Sequence, residues 1–245
     1  MRRSSVFPHG DAHVMSSGTD NRREAYVQRI LPERFPDTLV LGPGAPAAWF
    51  VCGYLGCDRL PFNPMLGALP RQMHLPAALH GWLGAFVRQV TEESRRGRAG
   101  AETVLTRLAE LMFIEVLRRY LDALPEGGEG WLAALRDEVV GRALTLLHAR
   151  PAHPWSLAEL AREVASSRTN LATRFTAIVG QPPMQYLTQW RMQVAANLLV
   201  QGTAKVSAVA AEVGYASEAA FSRAFKKATG LAPGAYRESR RPRRG

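Results

Sequence analysis

The sequence LAELAREVASSRTNLATRFTAIVG, residues 157–180, has the same pattern as VSAVAAEVGYASEAAFSRAFKKATG, residues 206–230. In each copy apolar residues recur at i, i+3, i+4 and i+7, which is the spacing of a short amphipathic helix. A short break follows, and then a second helix that ends at a glycine. The small residues Ala161 and Ala210 allow the two helices of each copy to cross closely. The pattern predicts two helix-turn-helix units in tandem.

The two copies align along their whole length with one insertion. Leu157 corresponds to Val206 at an offset of 49 residues, and Phe175 corresponds to Phe225 at an offset of 50. The added residue lies in the second break, residues 214–217. Because a helix-turn-helix unit can place its second helix in the major groove of DNA, the tandem repeat favours DNA recognition.

The charge of the chain is unevenly distributed. The 245 residues are enough for two modest domains with their own cores, and they carry a formal net charge of +10. Residues 151–245 hold 13 of the 31 basic side chains but only 5 of the 21 acidic ones. The positive excess therefore accompanies the repeated helices, which favours a polyanionic partner for that region.

Other features bear on the location of the protein. No apolar run approaches the roughly 18 residues that cross a membrane, and MRRSSVFPHGDAH at the start lacks the apolar segment of a signal peptide. Cys52 and Cys57 lie in an apolar stretch, which favours reduced, buried thiols over a metal or redox pair. We expect a cytoplasmic, nucleoid-associated protein that has no contact with a membrane.

Residues 1–76 are predicted to form strands and turns. Turn-forming residues recur every few positions, and the run 49–55 is rich in aromatic and β-branched residues. Two helices are predicted next, the first from about residue 77 and the second over residues 101–124. The second is apolar around more than half of its circumference, so it must bury two faces. One face can cover the sheet, and the other can lie inside the domain or meet a second subunit.

The stretch PEGGEG, residues 125–130, is the clearest loop in the chain and the predicted domain boundary. The predicted divisions are a sensor and dimerisation domain over residues 1–124, a linker over 125–130, a DNA-binding domain over 131–237, and a basic disordered tail over 238–245. Within the predicted DNA-binding domain, we expect a helix over residues 137–149 and another over 184–200. The latter would be about 25 Å long, a rigid spacer that can hold two recognition helices about one DNA turn, roughly 34 Å, apart.

Several stretches resemble one known family. PHGDAHVMSS (residues 8–17) and CGYLGCDRLPFNPMLGALPRQMHL (residues 52–75) resemble the later part of the cupin-like sensor domain of AraC-family transcription regulators. WSLAELA (155–161), RFTAIVGQPPMQYLTQWRMQVAANLL (174–199) and VAAEVGYASEAAFSRAFKKATGLAPGAYR (209–237) resemble the DNA-binding half of AraC/XylS regulators. The resemblance implies an α+β chain, in which a partial cupin-like β domain with two helices precedes an all-α domain with two helix-turn-helix motifs. Several strands precede the PHGDAH-like turn in the family, so we expect a truncated sensor or a misplaced start codon here.

The resemblance also implies the partners of the protein: double-stranded promoter DNA, a small-molecule effector, RNA polymerase and a second copy of the chain. No cofactor is expected. A metal is not expected either, because His9 and His13 lie four residues apart in a turn, without the further ligands that a cupin metal site needs. The chain is therefore not expected to be an enzyme. A non-specific architectural DNA-binding protein and a cupin-type metalloenzyme are the alternatives.

The outward face of each second helix supplies the candidates for DNA contact, since Leu171, Phe175, Phe221 and Phe225 face inward. The candidates for base reading are Arg168, Thr169, Thr173, Glu218, Ala219, Ser222 and Arg223. Arg223 can donate two hydrogen bonds to guanine, and Glu218 can accept one from cytosine. The family often has a larger donor at the position of Thr173, so weaker reading is expected from the first helix. The candidates for phosphate contacts, which position a protein without specifying sequence, are Arg174, Arg191, Lys226 and Lys227.

Overall fold

A computed structural model describes residues 4–12, 62–75, 80–124 and 130–240 of the chain. The elements in chain order are β1 (Ser4–Val6), α1 (Pro64–Ala68), β2 (Met73–Leu75), α2 (His80–Arg96), α3 (Ala101–Ala123), α4 (Trp131–Ala134), α5 (Glu138–Ala149), α6 (Leu157–Glu163), α7 (Arg168–Val179), α8 (Pro183–Gln201), α9 (Val206–Glu212), α10 (Glu218–Thr229) and α11 (Pro233–Ser239). The chain thus combines a small strand component with a large helical one, and the predicted α+β class is confirmed.

The chain divides into two compact units. The first unit comprises Met1–Cys57 and Pro70–Ala123, and the second comprises Asp58–Leu69 and Leu124–Gly245. The grouping of Asp58–Leu69 with the second unit differs from the sequence-based division, which assigned all of residues 1–124 to one domain.

The described residues of the first unit form a two-stranded sheet and two helices. β1 and β2 are antiparallel, with Ser5 opposite His74. Next to the sheet, Arg71 and Asp11 form a two-bonded ion pair with distances of 3.0 and 3.1 Å. α2 packs against α3, and the nearly buried carboxylate of Glu93 on α2 accepts from Arg98 in the turn between the two helices. The strand-rich run predicted at residues 49–55, with Cys52 and Cys57, lies outside the described residues, as does His13.

The helix α1 corrects the prediction that the first 76 residues contain only strands and turns. Asn63 is its N-cap, because the Asn63 side chain accepts from the backbone N–H of Leu66 at 3.0 Å. Pro64 then occupies the first helical position, where its missing N–H costs nothing. Asparagine followed by proline is therefore a helix start at this point, although the same pair also occurs in turns.

Two hydrophobic clusters form the core of the second unit. The first unites α5, α6, α7 and the start of α8, and its buried members include Leu144, Leu147, Leu160, Leu171, Phe175, Tyr186 and Leu187. The second unites the rest of α8 with α9, α10 and α11, and its buried members include Met192, Leu199, Val209, Phe221, Phe225 and Tyr236. Each cluster contains one copy of the sequence repeat, and α8 runs through both.

The tail predicted to be disordered from residue 238 is ordered further than expected, because α11 extends to Ser239. Tyr236 is buried on this helix, and its ring lies edge-on to Phe225 with the ring centres 5.2 Å apart. The neighbouring Arg237 donates to the backbone oxygens of Leu199 and Ala204. These contacts attach the residues just before the basic tail to the second cluster.

Candidate nucleic-acid interface

The second helix of each repeat is set by a serine at one end and a glycine at the other. The Oγ of Ser167 accepts from the N–H of Asn170 at 3.1 Å at the start of α7, and the Oγ of Ser217 accepts from the N–H of Ala220 at 3.2 Å at the start of α10. Both helices end at a glycine in the left-handed region. The sequence therefore fixes the length of both helices locally, at 12 residues each.

The inner face of each helix is held by two apolar side chains that solvent does not reach. These are Leu171 and Phe175 on α7, and Phe221 and Phe225 on α10. The pair on α10 is in ring contact at 5.5 Å, and Tyr215 in the preceding turn lies edge-on to Phe221 at 5.7 Å. With one face so fixed, the opposite face of each helix has a defined orientation toward solvent.

The predicted base-reading residues lie on this opposite face. Six of the seven are exposed, namely Arg168, Thr169, Thr173, Glu218, Ala219 and Arg223. The seventh, Ser222, is half-buried and so less accessible than the others; it follows the inward Phe221 in the chain. Of these candidates, α7 thus presents one arginine and two threonines, while α10 presents a glutamate, an arginine and two short side chains.

Four cationic side chains on these helices are available for an external partner. Within the described part of the chain, Arg168, Arg223, Lys226 and Lys227 make no side-chain hydrogen bond or ion pair with the protein. Three of the four are on α10, where Lys226 and Lys227 occupy the last turn. Among the described residues, α10 therefore carries more of these uncommitted cations than α7, although Glu218 gives the two helices the same net charge.

Arg174 on α7 has a partner within the protein. Its Nε donates to Oδ2 of Asp137 at 2.8 Å, and its side chain is about 50% exposed while that of Asp137 is 9% exposed. The hydrogen bond and charge of Asp137 raise the pKa of the guanidinium. Arg174 keeps an exposed edge that can meet a phosphate, and Asp137 fixes the direction in which that edge points.

Arg191 on α8 is committed to the backbone of the protein. Its Nε donates to the carbonyl of Pro151 at 2.7 Å, and its Nη2 donates to that of His153 at 2.9 Å. The side chain is half-buried, and this burial lowers the pKa of the guanidinium, while the nearby Tyr215 acts in the opposite direction. Two of its three nitrogens therefore already donate to carbonyls, and the phosphate contact of Arg191, which stays a prediction, would fall to Nη1.

Asn170 on α7 is a candidate that the sequence analysis missed. The residue is exposed, and its Nδ2 donates to the Oγ of Ser166 at 2.8 Å. An asparagine at such a position can form two hydrogen bonds with adenine. Its position three residues before Thr173, on the same face of one helix turn, is the signal that could have identified it.

Two findings concern other kinds of site. Among the described residues, no group of three or more histidine, cysteine, aspartate or glutamate side chains is arranged to hold a metal ion. In the same part of the chain, no helix is both long and apolar enough to cross a membrane.

Comparison with protein families gives two matches. A family described as "Cupin" matches residues 4–122, and a family described as "Helix-turn-helix domain" matches residues 160–239. The second match covers α7, α8, α9, α10 and α11 entirely, together with the end of α6.

Individual proteins are similar over longer stretches. A putative AraC-like transcription regulator of Streptomyces antibioticus is 44% identical over 184 residues, which are 73% of this chain and 59% of that protein, so this chain spans less than two thirds of that relative. The transcriptional regulator AlkR of Acinetobacter baylyi is 30% identical over 240 residues, 95% of this chain and 78% of its own length. Among solved structures, the C-terminal domain of the response regulator AraT from Geobacillus stearothermophilus is 29% identical, with a TM-score of 0.43 over 44% of this chain and 90% of that one.

Proposed function

Because this chain belongs to the AraC-like family of helix-turn-helix transcriptional regulators, we propose that it binds promoter DNA in a sequence-specific manner and regulates transcription. The observation that carries the proposal is the duplicated recognition helix. α7 and α10 each have a serine cap, two fully buried apolar anchors and an outward polar face. A fixed helix with such a face can present its side chains to base edges in the major groove.

In the proposed complex the two recognition helices enter successive major grooves on one side of the duplex. The helix between them, α8, has 19 residues and is therefore about 28 Å long. That length is comparable to one turn of DNA, roughly 34 Å.

The two helices have unequal roles in this proposal. On α10, Arg223 donates to a guanine and Glu218 accepts from a cytosine, while Lys226 and Lys227 meet phosphates. On α7, Thr169, Thr173 and Asn170 offer shorter groups, and Arg168 and Arg174 supply the positive charge. Most of the sequence preference should therefore come from the half-site bound by α10.

We also propose that the chain forms a homodimer through α3. Leu111 and Ile114 are three positions apart, on one side of this helix, and they are 56% and 45% exposed. Two apolar side chains so exposed on one helix face favour contact with a like surface. A dimer would bind two sites at once and so bind a promoter more tightly than one chain.

The regulatory part of the proposal rests on the family. The cupin-like region, residues 4–122, would bind a small-molecule effector that changes the affinity for DNA, and the bound protein would contact RNA polymerase in the bacterial cytoplasm. The relatives are transcription regulators, and catalysis is not part of the proposal. Transcription in vitro from a bound promoter, with purified polymerase and with effector candidates added one at a time, would test this part.

The specificity of DNA binding is the first thing to measure. Sites would be selected from random duplexes by the full chain, and the affinity for the selected site would be compared with that for random DNA at one salt concentration. We expect a ratio of at least about 10³, the lower end for specific binding. A ratio near one would identify a non-specific architectural protein and contradict the proposal.

A further inference from the structure

The loop between α5 and α6, residues 150–155, is held by the second half of the DNA-binding unit as well as by the first. We infer that this loop is a clamp that fixes the angle between the two helix-turn-helix motifs, and that Arg191 and Gly214 therefore determine which spacing between DNA half-sites the protein accepts. The inference rests on the proposed function, since it concerns how two recognition helices share one duplex.

The need for such a clamp follows from the two separate hydrophobic clusters. Leu187 on α8 belongs to the first cluster, and Met192, little more than one turn later, belongs to the second. Without other contacts, α8 alone would carry the angle between the two motifs. A helix that is held only at its ends can bend and twist, so it would define that angle loosely.

Arg191 lies on α8 between these two residues. Its Nε and Nη2 donate to the carbonyls of Pro151 and His153, at 2.7 and 2.9 Å. Because the fork of a guanidinium is rigid, two such bonds fix the orientation of the loop relative to α8 as well as its distance. The contact lies where the first cluster ends and the second begins.

Gly214 adds a contact from the turn of the second motif. A Cβ placed on Gly214 would lie 2.5 Å from the carbonyl oxygen of Ala152, so the backbone of the turn packs directly on the loop. The first motif has Ala165 at the corresponding position, where φ is 53°. The turn itself therefore accepts alanine in the left-handed region. The contact with Ala152 is what requires glycine in the second copy.

The loop is rigid enough to serve as a fixed point. The indole Nε1 of Trp155 donates to the carbonyl of Arg150 at 3.1 Å, and the guanidinium of Arg150 lies 4.6 Å from the centre of the Trp155 ring. The Nε2 of His153 lies 2.9 Å from Oε1 of Glu159 on α6. The first two contacts join the two ends of the loop to each other, and the third joins the loop to α6 of the first motif, so its contacts with Arg191 and Gly214 connect the two halves.

A spacing series on DNA tests the clamp. Two base pairs inserted between the half-sites rotate one of them by roughly 70°, given about 10.5 base pairs a turn. We expect the insertion to weaken binding by the full-length wild-type chain at least about tenfold, since it removes the contacts of one helix. For Arg191→Ala, the penalty for the insertion should fall below about threefold, even though binding to the original site is weaker.

Arg237→Ala is the matched control for Arg191→Ala. Arg237 also donates to two backbone carbonyls, but both belong to the second half, so its loss should leave the spacing penalty unchanged. Gly214→Ala should reduce the penalty as Arg191→Ala does. Its control is Gly230→Ala, because Gly230 has nearly the same φ, 80° against 83°, and a Cβ there would meet nothing within 4 Å.

A measurement without DNA separates this inference from the proposed function. Nitroxide labels at Thr176→Cys and Glu212→Cys, with Cys52 and Cys57 replaced by serine, report the distance between the halves. Dilution with unlabelled protein restricts the signal to one chain. We expect a narrow distance distribution that Arg191→Ala broadens and Arg237→Ala does not. An unbroadened distribution for Arg191→Ala overturns the clamp, even if DNA binding is specific. Loss of specificity in the wild-type chain overturns the proposed function, even if the clamp is present.

Discussion

Asp137 accepts a hydrogen bond from the Nε of Arg174 at 2.8 Å, and this pair joins the start of α5 to the outward side of α7. The other carboxylate oxygen of Asp137 accepts from the backbone N–H groups of Val139 and Val140, at 3.1 and 3.0 Å. One carboxylate therefore caps a core helix and orients a cation of the proposed DNA surface. Substitutions of Asp137 can separate these two roles.

We expect Asp137→Ala to lower the free energy of unfolding by about 1 kcal/mol, the usual effect of losing an N-cap. Asp137→Asn keeps a capping oxygen and should cost less. Burial alone would raise the pKa of Asp137, but the bonds from Arg174, Val140 and Val139 outweigh it and lower the pKa below 3.8. The charge therefore contributes stability above about pH 4 that is lost as the pH falls further. Denaturation of the wild type and Asp137→Asn at several pH values measures this, and a difference between them that did not shrink as the pH fell below 4 would contradict it.

His148 should make the DNA-binding unit less stable in mild acid. Trp131 donates to the hydroxyl of Tyr186 at 2.8 Å, and that hydroxyl lies 2.7 Å from the Nε2 of His148. Burial lowers the pKa of His148 from 6.5 to about 4. The unfolded chain then binds more protons between these values, so stability should fall as the pH drops from about 6.5 to 4, by at most roughly 3 kcal/mol.

Chemical denaturation followed by tryptophan fluorescence measures this dependence, since the Trp190 ring stacks on His148 at 4.0 Å. The control is His148→Gln, whose side-chain oxygen can still accept from Tyr186 but does not titrate. The variant should lose less stability than the wild type between pH 6.5 and 4. Equal losses in the two proteins would show that His148 is not the group responsible.

Leu111→Glu should shift a dimer of the full chain toward the monomer. Leu111 is exposed on this helix, whereas Leu117 is half-buried. A charge without a partner is costly in an interface that excludes water. Sedimentation velocity at micromolar concentration is the measurement, and Leu135→Glu, at an exposed leucine of the other unit, is the control. A wild-type chain that is monomeric under these conditions would remove the basis for a dimer through α3.

The recognition helices could be predicted from the sequence because their determinants are local. Ser167 and Ser217 cap the helices, glycines end them, and the apolar anchors recur at helical spacing, all within 14 residues. The same is true of the outward faces, since a helix with a known buried side has a known exposed side. The residues named for base reading lie on that face, although their contacts with DNA remain predictions.

The contacts missed by the sequence analysis join residues that are far apart in the chain. The N–H of Phe62 donates to Oε1 of Gln193, 131 positions away, and no local pattern links the two. Arg191 looked like any outward arginine on α8, because its partners at Pro151 and His153 are backbone carbonyls, which carry no sequence signal. Pro233 is a local signal for the start of α11. The burial of Tyr236 on that helix has no local signal, because it depends on contact with Phe225 in another helix.

Two substitutions in α10 can separate contacts with DNA bases from contacts with DNA phosphates. Arg223 and Lys226 are both exposed and lie three positions apart on this helix. Arg223→Ala should weaken binding at the selected site by about 1–3 kcal/mol and relax the preference at one base pair. Lys226→Ala should weaken binding to all sequences alike and reduce the salt dependence by about one unit of slope.

The most direct test of the account is the affinity of Arg223→Ala for the selected site and for its single-base variants, with Lys226→Ala measured alongside at the same salt concentrations. The account predicts that Arg223→Ala loses discrimination at one base pair and keeps it elsewhere, while Lys226→Ala keeps the full preference. If Arg223→Ala weakened every sequence equally and left the base preference intact, Arg223 would be a phosphate contact, and α10 would not read DNA as proposed.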